Sequence, residues 1–327
     1  MRAAVITERG GPEVFRIEDR DDPQPGPEDV LVDVRATALN RADLLQRMGG
    51  YPAPPGISAD VPGLEFSGVV IEAGERVTGV SPGDNVFGLL GGGGYANRVI
   101  THHRMAMPMP SNLDFVQAAA VPEVFFTAYD ALFNHCELEM GESVLIHAVG
   151  SGVGTAALQL AHHAGAYVFG TAGSADKLAK AADLGLDVGI NYKQEDFAEI
   201  IKDKTSRAGV NVILDMIGEP YWERNLASLS QKGRMVLVGL MGGDKVQTSL
   251  GALMPKRLRV HGTVLRVRPL EEKIALTQQI QLHVLPLIAD GRIVPVVDRA
   301  FPLDQVSQAH EYMESNANFG KIILTNS

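Results

Sequence analysis

The run Val144-Leu-Ile-His-Ala-Val-Gly-Ser-Gly-Val-Gly-Thr-Ala-Ala-Leu-Gln-Leu-Ala161 leaves this chain few folds to choose from. Val144–Ala148 reads as a short apolar strand, glycines cluster after it, and a helical pattern follows. A strand that turns through glycine straight into a helix gathers free N–H groups and the positive end of the helix dipole at one point. That arrangement seats a dinucleotide pyrophosphate. The strict fingerprint is G-x-G-x-x-G; here Gly150, Gly152 and Gly154 read G-x-G-x-G, with Gly165 closing the helix. The expected cofactor-binding turn is therefore Gly150, Ser151, Gly152, Val153 and Gly154. A tight turn in some other α/β protein is the plainer reading of the motif taken alone.

The surroundings favour the nucleotide reading. Tyr167–Thr171 is a second strand at βαβ spacing, a helix begins near Ser174, and Val188–Ile190 is a short third strand. A helix near Asp196–Lys204, a strand Val210–Asp215, a helix near Tyr221–Leu229 and a strand Arg234–Gly239 continue the alternation. A sixth strand is expected near Arg259–Leu265. Alternating β and α with Val/Ile/Leu-rich strands predicts a doubly wound parallel sheet.

NAD sites carry Asp or Glu about 20 residues past the first glycine, on the ribose 2′-hydroxyl. Here the second strand ends in Thr171-Ala-Gly-Ser174, with Lys177 three residues on. A 2′-phosphate wants a hydroxyl, a backbone N–H and a cation at a helix start, which Gly173, Ser174 and Lys177 supply. The spacing predicts NADPH over NADH. A solvated helix lysine is the plainer reading of Lys177; the missing acid is the stronger sign.

The first ~120 residues lack this alternation. Val30–Arg35 and Gly68–Glu72 read as strands, and turn residues are dense: Pro23–Pro27, Pro52–Gly56, Ser81–Asp84 and Gly91–Gly94. A small, irregular β-barrel fits. Ala118–Leu132 reads as a helical hinge. A long helical segment, Leu270 to Ala289, and a final strand, Lys321–Leu324, return to the first domain, so the nucleotide unit is an insertion with a cleft beside it. The boundaries read as 1–118 plus 267–327 for the barrel domain and 119–266 for the nucleotide domain. A formal charge of −10 disfavours nucleic acid, no apolar run reaches membrane-spanning length, and Met1–Glu8 reads as a strand rather than a signal peptide. The one cysteine, Cys136, permits no intrachain disulfide and suits a reducing, cytoplasmic setting; it reads as a buried, inert thiol.

Six further segments, together with the glycine turn, carry a resemblance: Ala38–Leu44, Pro62–Gly68, Val80–Val86, Gln117–Pro122, Thr127–Tyr129 and Asn318–Leu324. In that order, over nearly the full length, they resemble the zinc-free quinone oxidoreductase branch of the medium-chain dehydrogenase/reductase superfamily. They are most similar to its tumour-suppressor-inducible NADPH quinone oxidoreductase subgroup, which shares Ser151 and the Tyr221-Trp-Glu223 sequence. The resemblance implies a Rossmann doubly wound parallel sheet inserted into a GroES-like irregular β-barrel domain. Where zinc members place Cys, His and Cys, this chain has Asn40, Leu64 and Glu123, a set that cannot hold the ion. No metal site is expected. The nine histidines offer none either: His102 and His103 are adjacent, so on a strand they would face opposite sides, and His162-His163 sit at a helix end.

Hydride transfer without a Lewis acid favours acceptors such as quinones and α,β-unsaturated carbonyls. The resemblance implies that Tyr51 and Asn40 lie near the nicotinamide and substrate. A tyrosine packed on the proline-rich loop and a turn asparagine are the plainer alternatives. It also implies that Thr127 bonds the carboxamide or a phosphate and that Tyr192 covers the adenosine phosphate. By position, Gly239, Leu240 and Met241 leave the fifth strand at its carboxyl end, Thr263 and Leu265 follow the sixth strand, and Lys321 reaches the nicotinamide side. Asp43 reads as structural, paired with Arg41, Arg47 or backbone. No triad is seen. NADPH:quinone reduction is the leading expectation. The alternatives are reduction of activated alkenes or enoyl thioesters, and a low-turnover cofactor-binding or RNA-binding role like that of lens-crystallin relatives. The resemblance further implies a homodimer paired through the edge strand near Val260–Leu265.

Overall fold

The computed structural model describes residues 1–326. Two compact units emerge, Met1–Phe126 with the segment from Leu265 onward, and Thr127–Val264. These divisions fall inside a helix and just past a strand, at 126/127 and 264/265, where the sequence limits are 118/119 and 266/267.

The first unit opens with β1 (Arg2–Ile6) and β2 (Phe15–Asp19), an antiparallel pair. It continues with β3 (Asp29–Ala38), α1 (Arg41–Arg47), β4 (Glu65–Ala73), β5 (Asn85–Leu89), β6 (Arg98–His102), β7 (Met107–Pro108), α2 (Phe115–Ala119) and α3 (Pro122–Tyr129). The strand β3 alternates inward Val30, Val32 and Val34, which pack with Phe66, Val70 and Val86 in the barrel core. This is the period-two signal the sequence showed. An expected contrast fails at one corner. His102 and His103 do not face opposite sides: β6 ends at His102, a 3₁₀ turn begins at His103, and the two rings stack with centroids 4.8 Å apart. The alternation argument holds only where the strand continues.

The second unit carries β8 (Ser143–Ile146), α4 (Gly152–His163), β9 (Tyr167–Ala172), α5 (Ala175–Ala182), β10 (Val188–Asn191) and α6 (Phe197–Lys204). It goes on through β11 (Val210–Asp215), α7 (Trp222–Ser228), β12 (Leu229–Leu237) and β13 (Arg259–Gly262). The sheet order is β10-β9-β8-β11-β12-β13, every pair parallel. Counted within the unit that is 3-2-1-4-5-6, the Rossmann order, with its switch point between β8 and β11. Three strands of this unit stop short of their expected ends, β12 among them at Leu237 rather than Gly239. β8 stops at Ile146, because Ala148 takes a left-handed φ of +49° and turns the chain. β13 stops at Gly262, short of Leu265.

The chain then adds α8 (Leu270–His283), α9 (Leu285–Ala289), β14 (Val297–Pro302), α10 (Val306–Glu314) and β15 (Lys321–Thr325). The helix expected over 270–289 is broken at Val284, with Pro286 in the first turn of the second piece, where a missing N–H costs nothing. In the first unit β15 pairs antiparallel with β3 and parallel with β14, completing the order β14-β15-β3-β4-β5-β7 with β6 also on β3.

Candidate functional site

In the second unit, Ser151 is the N-cap of α4. Its backbone is extended and its Oγ accepts from Gly154 N at 3.0 Å. The N–H groups of Gly152 and Val153 have no preceding helical turn to accept them. Gly154 is required by contact: a Cβ there would lie 2.4 Å from the Ala148 carbonyl oxygen and 2.7 Å from Val149 Cα. The helix start is thus pressed against the strand exit, leaving its amide end and dipole for an anion. Gly150, Ser151, Gly152, Val153 and Gly154 come together as one turn.

At the end of β9, Ser174 caps α5, accepting from Lys177 N at 3.4 Å. No carboxylate stands between Thr171 and Ala175. The nearest acid, Asp176, is exposed and paired with Lys180 at 2.9 Å. Gly173 and Tyr192 meet: a Cβ on Gly173 would be 2.8 Å from the Tyr192 hydroxyl. Beyond β12, Met241 N donates to Met216 O (3.1 Å) and Gly242 N to Ile217 O (2.8 Å), lacing two loops together and leaving Leu240 and Met241 about half exposed. Thr263 N donates to Leu237 O at 3.0 Å and its Oγ1 meets Asp130 Oδ2 at 3.5 Å, while Thr127 lies on α3.

Sequence reading missed the network that braces these strand ends. Asp215 accepts from Ile217 N at 2.7 Å and from Asn225 Nδ2 at 3.0 Å, and Asn225 Oδ1 meets His147 Nε2 at 2.8 Å. Since the Asn225 oxygen accepts, the His147 proton sits on Nε2, and Nδ1 accepts from the Thr171 hydroxyl at 3.1 Å. Burial holds the imidazole neutral, its pKa lowered to about 4. The available signal was a polar residue inside an apolar run: His147 in Val144–Ala148, and Asp215 closing Val210–Leu214.

In the first unit, Asn40 is the N-cap of α1, and Asp43 returns its Oδ2 to Asn40 N at 2.8 Å, a capping box. Asn40 Nδ2 donates to Glu65 Oε1 (2.8 Å) and its Oδ1 accepts from Lys321 Nζ (2.7 Å), so both ends of the amide are engaged. Lys321 Nζ also donates to Leu39 O (2.9 Å) and Glu65 Oε1 (2.7 Å); the pair is 4% and 0% exposed. Lys321, expected at the nicotinamide, is therefore spent on a buried ion pair. Asp43 does not pair with Arg41 or Arg47. It accepts from Gly63 N and Tyr95 OH, each at 3.1 Å, and burial raises its pKa to about 6. Arg47 instead donates to Gly10 O, His310 and Glu314, because a buried guanidinium needs several acceptors at once.

Tyr51 is partly buried, and the Arg266 guanidinium lies 5.1 Å from its ring centroid. Arg266 donates to Gly91 O (2.7 Å), Gln46 Oε1 (2.7 Å) and Tyr51 O (3.3 Å). The neighbouring Leu265 is a buried residue of this first unit, not of the nucleotide unit. Burial, reinforced by the nearby Glu123 carboxyl, raises the Tyr51 phenol above its ordinary pKa and keeps it a hydrogen-bond donor.

The chain matches two family models, the alcohol dehydrogenase GroES-like domain over residues 26–111 and the zinc-binding dehydrogenase over residues 152–279. It is 33% identical to the quinone oxidoreductase of Rattus norvegicus, over 99% of this chain and 97% of that one. The chain belongs to the quinone oxidoreductase family. Among solved structures of the family's fold, the Escherichia coli quinone oxidoreductase complexed with NADPH superposes with a TM-score of 0.90 at 31% identity, covering 100% of both chains. CurK enoyl reductase superposes with a TM-score of 0.89 at 28% identity, over 99% of this chain and 98% of that one. Membership places this chain among the medium-chain oxidoreductases. No helix among the described residues is long and apolar enough to cross a membrane.

Proposed function

We propose that this chain is an NADPH-dependent reductase of quinones that transfers hydride without a metal. The observation that carries the cofactor choice is the end of β9, where Gly173, Ser174 and Lys177 gather at a helix start, no acid stands between Thr171 and Ala175, and the first-turn Asp176 is exposed and paired with Lys180. The relative seen with NADPH supports the same choice. A nicotinamide supplies the hydride when bound. The amide end of α4 holds the pyrophosphate, Ser174 and Lys177 hold the 2′-phosphate, and Tyr192 covers the adenosine side. Leu240, Met241, Thr263 and Thr127 line the carboxyl ends of the sheet, where ligands of such folds sit. Tyr51 donates a hydrogen bond to the acceptor's carbonyl oxygen. Asn40, clamped by Glu65 and Lys321, is a positioning residue.

The donor chemistry does not fit zinc. Leu64 offers no donor atom and is buried at 1% exposure, and Asn40 Oδ1 is taken by Lys321. Among the described residues no group of three or more His, Cys, Asp or Glu is placed to hold a metal.

Replacing Lys177 by Ala should lower the NADPH/NADH ratio of kcat/KM by about ten- to hundredfold, the worth of one charge-assisted hydrogen bond. An unchanged ratio would refute the 2′-phosphate assignment. Measured with paired acceptors, the same assay separates the second reading, which the CurK likeness favours: a far higher kcat/KM on an enoyl thioester than on any quinone would make this an enoyl reductase. We also propose a homodimer through β13, whose outer edge has no partner strand among the described residues. Sedimentation velocity at micromolar concentration should show a dimer, and a lone monomer there rules the pairing out.

A further inference from the structure

In the first unit a carboxyl outside the Lys321–Glu65 ion pair stands near Tyr51. Glu123 follows Pro122 at the start of α3, and its backbone N donates to Glu65 Oε2 at 2.8 Å. The two Glu65 oxygens are thereby filled, one by Glu123 N and the other by Asn40 and Lys321. Arg266 and Lys321 are likewise committed to carbonyl and amide acceptors. Glu123 is mostly buried, and its surroundings act on its carboxyl through desolvation and nearby charges rather than through hydrogen bonds. The groups facing it are Glu65 and Asp43, which oppose its ionisation, Lys321, Arg266 and Lys273, which favour it, and the Tyr51 phenol.

We propose that Glu123 is the proton donor to the reduced acceptor, acting beside Tyr51. The inference rests on the reductase reading above. An acceptor that has taken a hydride is an anion, a hydroquinone monoanion in the case of a quinone. The Glu123 O–H bond breaks, the proton passes to the anionic oxygen, and the carboxylate left behind regains a proton from water. Two close carboxyls with their cations committed divide the work, Glu65 holding the charge of the ion pair and Glu123 holding a proton. Burial first, and the Glu65 charge second, push Glu123 up to about 8, so it carries that proton at neutral pH and loses it just above.

The test uses the full-length enzyme with NADPH and a saturating quinone. The parent kcat should fall on the alkaline side with a midpoint near 8. Glu123→Gln should lose that limb and about 10²-fold in kcat at neutral pH, in the range of general acid catalysis, with NADPH affinity unchanged. Glu123→Asp should restore the limb and part of the rate. Infrared difference spectra of the cofactor-free protein, parent minus Glu123→Gln, should show a protonated carboxyl band that disappears near pH 8. An active parent whose Gln variant keeps both rate and limb overturns the proposal alone, as does a Glu123 ionised throughout in the infrared. A parent inactive on every quinone and enoyl acceptor overturns the underlying reading, and this proposal with it.

Discussion

Lys321→Met is expected to lower the unfolding free energy by about 3–5 kcal/mol, the cost of leaving one half of a buried ion pair alone. Glu65 is fully buried, and its Oε1 accepts from Lys321 Nζ and Asn40 Nδ2. Methionine keeps most of the stem's volume, so the loss is electrostatic rather than a cavity. The Leu39 carbonyl and Asn40 Oδ1 also lose their donor, which adds desolvated acceptors to the stranded charge. The double variant Lys321→Met with Glu65→Gln should recover a large part of the loss, since neutral partners of similar shape replace the pair at little cost. Calorimetric melting of the three proteins measures this. A single variant that melts within about a degree of the parent would mean the pair contributes nothing, against the expected several degrees.

Gly154→Ala should weaken NADPH binding at least about tenfold and destabilise the second unit by about 1–3 kcal/mol, as overpacking against backbone does. Alanine is the better helix former by about 1 kcal/mol, so propensity alone predicts the opposite sign. Contact decides. The added Cβ would sit 2.4 Å from Ala148 O, 2.7 Å from Val149 Cα and 2.8 Å from Val149 C. All three are backbone atoms, and none has a rotamer by which to move away. Relief requires sliding α4 off the turn, which breaks the Ser151 Oγ cap on Gly154 N and moves the amides proposed to hold the pyrophosphate. Fluorescence titration with NADPH reads the loss, and parent-like affinity in the variant would remove the glycine turn from the cofactor site.

Much of the second unit was legible because its signals are local. Apolar runs separated by helical patterns mark the strands, and glycine or serine marks most of the turns. Strand ends were less legible: β8 stops early because Ala148 adopts a left-handed turn that Ala rarely shows. The break at Val284 hides in a continuous helical pattern, and the stacked His102 and His103 follow from a strand ending between them. In the first unit the candidate residues were legible as members of motifs, but their partners were not. Of the partners expected for Asp43, Arg41, Arg47 or backbone, it takes the backbone, accepting from Asn40 N and Gly63 N, and the Tyr95 hydroxyl joins from 52 positions away. Glu65 lies within Pro62–Gly68, and its role shows only in its three donors, Asn40, Glu123 and Lys321.

By itself, the amino-acid order determined the βα alternation, the glycine turn with its Ser151 cap, and the acid-free end of the second strand. Each depends on backbone preference and side-chain periodicity over a few residues. Only the tertiary structure decided which charges neutralise which. Lys321 meets Glu65 across 256 positions of chain, and the Glu123 carboxyl beside them takes no part in that ion pair. Burial compels a charge to find a counter-charge wherever the fold brings one, and no local pattern encodes a meeting at that separation.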